Sequence, residues 1–118
     1  MRVTRDVLRE AAKAVALARA KYDLVDPRGL GPHDQPYEPD QHSFDSDSGR
    51  EQVATGIAAL RALPLSERAD AYAVKHRAEQ WGRRNGMAPY VSTGAIIVAA
   101  LGIGIGVHRD NDGDVSLG

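Results

Sequence analysis

Hydrophobic residues are distributed unevenly along this chain, and the densest run, from Tyr90 to Val107, carries no charge over eighteen residues. Within that run every position from Ala95 to Leu101 is apolar, so a helix there must be surrounded by other elements. The strictly apolar part, Gly94 to Val107, would span about 21 Å as a helix, against a hydrocarbon core of about 30 Å. We therefore predict a buried core helix, with no membrane as partner.

Three other stretches show the three- and four-residue spacing of amphipathic helices. The first follows Thr4, a suitable N-cap, and the second follows Ser48 and Glu51, which have the spacing of a capping box. Pro64 disfavours helical geometry just before it and so ends the second helix. The chain's last residues instead alternate one by one around Asp112-Gly113, as in a hairpin. The predicted elements are helices over 4–22, 48–63, 65–82 and 90–102 and a β-hairpin over 103–118.

The order of these elements predicts a mainly α (α+β) fold. A length of 118 residues suits one domain, over residues 1–118. We expect a compact four-helix domain around the buried apolar helix, with the β-hairpin at its C-terminal end.

Residues 23–47, called the acidic segment below, interrupt the helical pattern with prolines, glycines and aspartates. Loops of this length are usually either functional or disordered. Eight acidic residues face two basic ones between residues 23 and 51, whereas the whole chain has a net charge of −1. A basic protein surface could pair with these charges, and two aromatic residues could serve as anchors. The predicted partner-binding residues are Asp34, Tyr37, Glu38, Asp40, Phe44, Asp45 and Asp47. The alternative is a solvated loop that packs Leu30, Tyr37 and Phe44 onto the helices.

A second candidate surface is basic. Lys75, Arg77, Arg83 and Arg84 surround the turn between the third and fourth predicted helices, where they could contact phosphates. A helix-turn-helix would need the fourth helix to enter a major groove, yet that helix is almost entirely apolar. A nucleic-acid-associated regulator is therefore the alternative hypothesis.

Catalytic and cofactor motifs are weak in this sequence. Cysteine is absent, which excludes disulfides and thiolate chemistry. His76 and Glu79 lie three apart on one helix but have no second copy with which to hold a metal. The glycines from Gly102 to Gly106 follow a helix and lack the lysine of a phosphate loop. We expect a non-enzymatic protein without metal or cofactor.

The N-terminal residues have charges every few positions and no apolar core of a signal peptide, so we expect a cytoplasmic protein. A homodimer, formed through the glycine-rich end or through an uncovered apolar face, is an alternative to a monomer.

The C-terminal part of the chain contains three short motifs: Lys75-His76-x-x-Glu79, Tyr90-Val91-Ser92-x-Gly94-Ala95 and Ala99-Ala100-Leu101. This pattern resembles small accessory proteins carried by phages, plasmids and related mobile elements, although Thr93 stands where that group commonly has Asn. The resemblance implies a small helical accessory domain with a C-terminal hairpin and brings no catalytic residues. Together with the charge pattern it suggests an inhibitor of the anti-CRISPR or antirestriction kind, acting through the acidic segment.

Overall fold

The computed structural model describes residues 4–118, which form four helices and a small antiparallel sheet. The mainly α fold with some β structure is thereby confirmed. The helices are α1 (Arg5–Lys21), α2 (Asp47–Ala62), α3 (Ala71–Arg84) and α4 (Thr93–Gly102). The strands are β1 (Ala69–Asp70), β2 (Val107–Arg109) and β3 (Val115–Leu117).

Helix α4 is the centre of the fold. Its residues from Gly94 to Leu101 are all buried, and they pack against α1, α2 and α3. The uniform apolarity of the sequence here corresponds to burial on all sides of residues 94–101. Within residues 4–118, no helix is both long enough and apolar enough to cross a bilayer.

Three predicted helix starts differ from the structure. Helix α4 begins at Thr93 instead of residue 90, because Ser92 is its N-cap. Helix α2 begins at Asp47, because Ser46, not Ser48, is its N-cap and accepts a hydrogen bond from the N–H of Gly49 at 3.0 Å. Helix α3 begins at Ala71 instead of residue 65, because Ala69 and Asp70 pair with β3. Asp70 then caps α3 by accepting from the N–H of Ala73 at 3.0 Å. A side-chain cap and a strand pairing therefore set these starts.

The sheet has the order β1-β3-β2 and is antiparallel throughout. Strands β2 and β3 form the predicted hairpin in a shorter version, with Val107 opposite Leu117 and Arg109 opposite Val115. Strand β1, which the sequence pattern assigned to a helix, adds the third strand by placing Ala69 opposite Leu117. Leu117, on the middle strand of this sheet, is fully buried.

The acidic segment is docked on the helices. Asp26 and Gly29 exchange backbone hydrogen bonds, and the carbonyl of Pro27 accepts from the N–H of Gly94 at 3.0 Å. Leu30 and Phe44 lie in the hydrophobic core, Phe44 with 3% of its surface exposed. The prediction that Phe44 anchors a partner is therefore wrong: its ring is already used to hold the segment on the core.

Candidate binding site

A buried ion pair lies beside the start of α4. The Glu79 carboxylate, on α3, accepts hydrogen bonds from Lys75 Nζ at 3.1 Å, His76 Nδ1 at 3.0 Å and the backbone N–H of Val91 at 3.0 Å. The Lys75 and Glu79 side chains are only 7% and 8% exposed. Burial raises the pKa of Glu79, but the Val91 N–H and the Lys75 ammonium outweigh it, so the net pKa lies below the ordinary value.

Gln52, on α2, links the acidic segment to α4. Its side-chain oxygen accepts from the N–H of Ser92 at 3.1 Å, and its side-chain amide donates to His42 Nδ1 at 2.8 Å. Ser92 caps α4 by accepting from the N–H of Ala95 at 3.0 Å. These bonds satisfy the polar groups of a glutamine that is 2% exposed.

Above this polar network lies a cleft of about 500 Å³, the tyrosine cleft, between the acidic segment, α3 and the start of α4. Its aromatic lining includes three of the chain's four tyrosines and two of its four histidines. Lys75 Nζ forms part of the lining and lies 4.8 Å from the ring centre of Tyr90 and 5.6 Å from that of Tyr72. The lining residues are Pro27, Arg28, Tyr37, Asp40, His42, Tyr72, Lys75, His76, Tyr90, Ser92 and Thr93.

A second depression of about 380 Å³, the arginine pocket, adjoins the tyrosine cleft. The two share Arg28, Tyr72 and Thr93 as lining residues. Two Asp26 oxygens hold the Arg28 guanidinium, one at 2.8 Å from Nη2 and one at 3.3 Å from Nε. The other lining residues of the arginine pocket are Gly29, Leu30, Gly31, Pro32, His33, Asp70, Ala71, Ile97, Arg109, Gly113, Asp114 and Val115.

The predicted acidic residues fall into two groups. Asp45 is paired with Arg19 through two bonds of 3.0 and 2.9 Å, and Asp47 lies 3.6 Å from Arg50. The ion pairs that the acidic segment makes within residues 4–118 involve these two residues and Asp26, which leaves Asp34, Glu38 and Asp40 without a basic partner there.

Asp40 instead accepts from neutral donors. The Tyr37 hydroxyl and the His42 N–H both donate to it, and these bonds hold the pKa of Asp40 below its usual range. Tyr37 is half-buried, and its burial together with the Asp40 bond raises the pKa of its hydroxyl. Asp40 and Tyr37 therefore stay, respectively, ionised and neutral near pH 7.

The predicted basic cluster is divided by the fold. Lys75 is 6% exposed and paired with Glu79, so its assignment as a nucleic-acid contact is wrong. Arg83 is exposed but donates to the carbonyl of Pro89 at 2.9 Å. Arg77 and Arg84 are exposed on α3 and remain accessible to a phosphate.

The histidines of the acidic segment have separate neighbours. His33 Nε2 lies 3.3 Å from an oxygen of Asp26, whereas His42 contacts Gln52 and the ring of Tyr90. Across residues 4–118, no three histidine, aspartate or glutamate side chains lie close enough together to hold a metal ion.

Sequence reasoning missed the tyrosine cleft and the arginine pocket. Tyr72 and His76 are four residues apart on α3, and their rings meet edge to face with centres 4.6 Å apart. That spacing was visible in the sequence. The proximity of Tyr37, His42 and Tyr90 was not visible in the sequence, because these residues come from segments that only the tertiary fold brings together.

In comparisons with known proteins, no family model matches this chain, and no curated protein and no solved structure matches it significantly. The pattern behind the resemblance to mobile-element accessory proteins consists in part of residues of the polar network: Lys75, His76, Glu79, Val91 and Ser92. The resemblance itself stays a prediction.

Proposed function

We propose that this chain is a small non-enzymatic binding protein that recognises a basic surface of a protein partner through the acidic segment. The observation that carries the proposal is the set of exposed carboxylates Asp34, Glu38 and Asp40, which make no ion pair within residues 4–118. Unpaired surface carboxylates steer and orient a basic partner at little cost in broken internal pairs.

The backbone that carries these carboxylates is held in place from both sides. Pro27 and Gly94 tie one end of the segment to α4, and buried Phe44 ties the other end to the core. A binding loop that is already ordered loses less conformational entropy when its partner arrives. Docking of the segment therefore supports a binding role for its exposed side.

An apolar contact for the partner lies beside the carboxylates. Leu24 is 54% exposed and borders a depression of about 370 Å³ that Asp34 and Tyr37 also line. Leu24 thus takes the anchoring role that the sequence pattern assigned to Phe44, and Tyr37 keeps its predicted place. With the resemblance described above, this surface supports the hypothesis of an inhibitor encoded by a mobile element, of the anti-CRISPR or antirestriction kind.

The test compares two triple variants of equal charge change. The first is Asp34→Asn, Glu38→Gln and Asp40→Asn; the control is Glu67→Gln, Asp112→Asn and Asp114→Asn, three exposed carboxylates elsewhere. Partners are captured from a host lysate, identified, purified and titrated by calorimetry. We expect the first variant to weaken binding about tenfold or more, and to flatten the dependence on salt, because it removes charges at the contact.

The control variant is expected to bind as the wild type does. Equal affinities for the two triple variants would remove the carboxylates from the binding surface. Loss of the captured partner after nuclease treatment would instead favour a nucleic-acid-associated regulator.

Two exposed arginines on α3 support the second candidate function, that of a nucleic-acid-associated regulator. Arg77 and Arg84 are exposed on α3 and make no ion pair within residues 4–118. If nucleic acid is the partner, the double variant Arg77→Gln and Arg84→Gln should weaken binding, and the acidic triple variant should strengthen it by removing repulsion.

A further inference from the structure

The tyrosine cleft exposes aromatic surface that the fold leaves uncovered. Tyr72 is 59% exposed and Tyr90 is 45% exposed, and within residues 4–118 they are two of only four large hydrophobic side chains with such exposure. Both border the same cleft. Exposed aromatic surface gathered in a concave site is typical of ligand recognition, in contrast to single exposed side chains.

Planar rings are the ligands that this lining suits. Tyr72, Tyr90, His42 and His76 offer ring surfaces, and the charge of Lys75 is balanced by Glu79 beneath them. A neutral heterocycle can therefore stack without meeting an unbalanced charge on the floor of the cleft. Base stacking on aromatic side chains depends little on which base is present, since every base has a π-face.

The adjoining arginine pocket offers an anion site at a short distance. Arg28 lies on the wall common to both depressions, with its guanidinium oriented by Asp26. Arg109 lines the arginine pocket, is exposed, and has no ion-pair partner within residues 4–118. Thr93 opens helix α4 on the same wall, where the helix dipole favours a negative group.

We propose that the tyrosine cleft and the arginine pocket together bind a mononucleotide, with its base against Tyr72 and Tyr90 and its phosphate between Arg28 and Arg109. Asp70 and Asp114 also line the arginine pocket and offset part of the positive charge of its two arginines, and Asp40 lines the tyrosine cleft. The site therefore suits one phosphate group, whereas each further phosphate of a nucleic-acid strand would meet carboxylates without an additional arginine. The proposal goes beyond the binding of a protein partner, and the nucleotide site does not include the carboxylates of Asp34 and Glu38.

The experiment is a titration of the folded, ¹⁵N-labelled chain with adenosine 5′-monophosphate, adenosine and inorganic phosphate in separate samples. The monophosphate should shift the amides of residues 28–31, 70–72 and 90–93. Adenosine should shift those near Tyr72 and Tyr90 and bind about tenfold more weakly, because it lacks the phosphate contacts with arginine. An absence of saturable shifts with the monophosphate, or shifts located elsewhere, would overturn the proposal.

Variants separate the two halves of the site. Tyr72→Ala should weaken binding of both adenosine and its monophosphate by about 5- to 150-fold, whereas Leu17→Ala, at an exposed leucine on α1, should leave both unchanged. Arg109→Gln should weaken only the monophosphate, and Arg5→Gln, at an exposed arginine on α1, is its matched control. An equal loss of both ligands in the Arg109 variant would contradict the phosphate position.

The last titration uses a short single-stranded oligonucleotide. Tighter binding of the oligonucleotide than of the monophosphate, dependent on Tyr72, would overturn the assignment to a free nucleotide. Weaker binding is expected from the acidic border of the site.

Discussion

The carboxylate of Glu79 on α3 accepts a hydrogen bond from the backbone N–H of Val91, which lies just before α4 and is fully buried. The same oxygen accepts from Lys75 Nζ, so one buried ion pair also satisfies the backbone where the chain turns into the central helix. This contact joins two elements that are separated by the turn at Asn85 and Gly86.

Replacing Glu79 by Gln should destabilise the protein by about 3 kcal/mol, since removal of one partner leaves the Lys75 charge buried and unpaired. Urea unfolding of the variant measures the change, with Glu67→Gln, at an exposed site, expected within about 0.5 kcal/mol of wild type. The double variant with Lys75→Met should be less destabilised than the sum of the single variants, by about 1 kcal/mol or more. Strict additivity would show that the two side chains do not stabilise each other.

Acidification should remove the contribution of Glu79 to the free energy of unfolding over a defined pH range. Its folded-state pKa lies below the ordinary value of 4.5, so the contribution is complete above that value and is lost as the pH falls through the lower, folded pKa. The difference in free energy of unfolding between wild type and Glu79→Gln should therefore shrink on acidification below pH 4.5. Urea titrations at several pH values measure it. A difference that stays constant across this range would mean that folding does not lower the pKa of Glu79.

Gly49 and Gly94 allow the acidic segment to lie directly on α2 and α4. A Cβ atom at Gly49 would come within 1.8 Å of the carbonyl oxygen of Ser43, and one at Gly94 within 1.9 Å of that of Asp26. We expect alanine at either position to displace the segment, at a cost of about 2 kcal/mol or more. Hydrogen exchange of the Asp26 and Gly29 amides, which form the turn in the segment, should accelerate.

The nearby substitution Glu51→Ala serves as the control for these glycine variants, because Glu51 is exposed on α2. Its exchange pattern should match that of wild type. Unchanged protection of Asp26 and Gly29 in the alanine variants at Gly49 and Gly94 would show that the segment tolerates the extra atoms without leaving the helices.

Local sequence patterns predicted the helices well where the hydrophobic periodicity of the sequence matches the buried face of the helix. The start of α1 after Thr4 follows from a cap within the helix's own first turn, with Thr4 accepting from the N–H of Val7 at 3.2 Å. The start of α3 could not be found in the same way. Residues 69 and 70 become a strand only because β3, more than forty residues later, lies beside them.

The candidate sites show the same division. Charge counting identified the acidic segment, and Asp34, Glu38 and Asp40 are indeed exposed. Charge counting could not show that Phe44 and Lys75 are buried. The sequence alone does not distinguish a buried phenylalanine or lysine from an exposed one. Their burial depends on contacts with the core and with Glu79.

The sequence by itself determined the central helix, because a run with no polar face can be stable in water only when other elements surround it. It also determined the acidity of residues 23–47, which is a property of composition. Only the tertiary structure decided that this segment docks on α4, that β1 completes the sheet, and that the tyrosine cleft adjoins the arginine pocket. Each of these features depends on contacts between residues that are far apart in the sequence, and local sequence patterns do not predict such contacts.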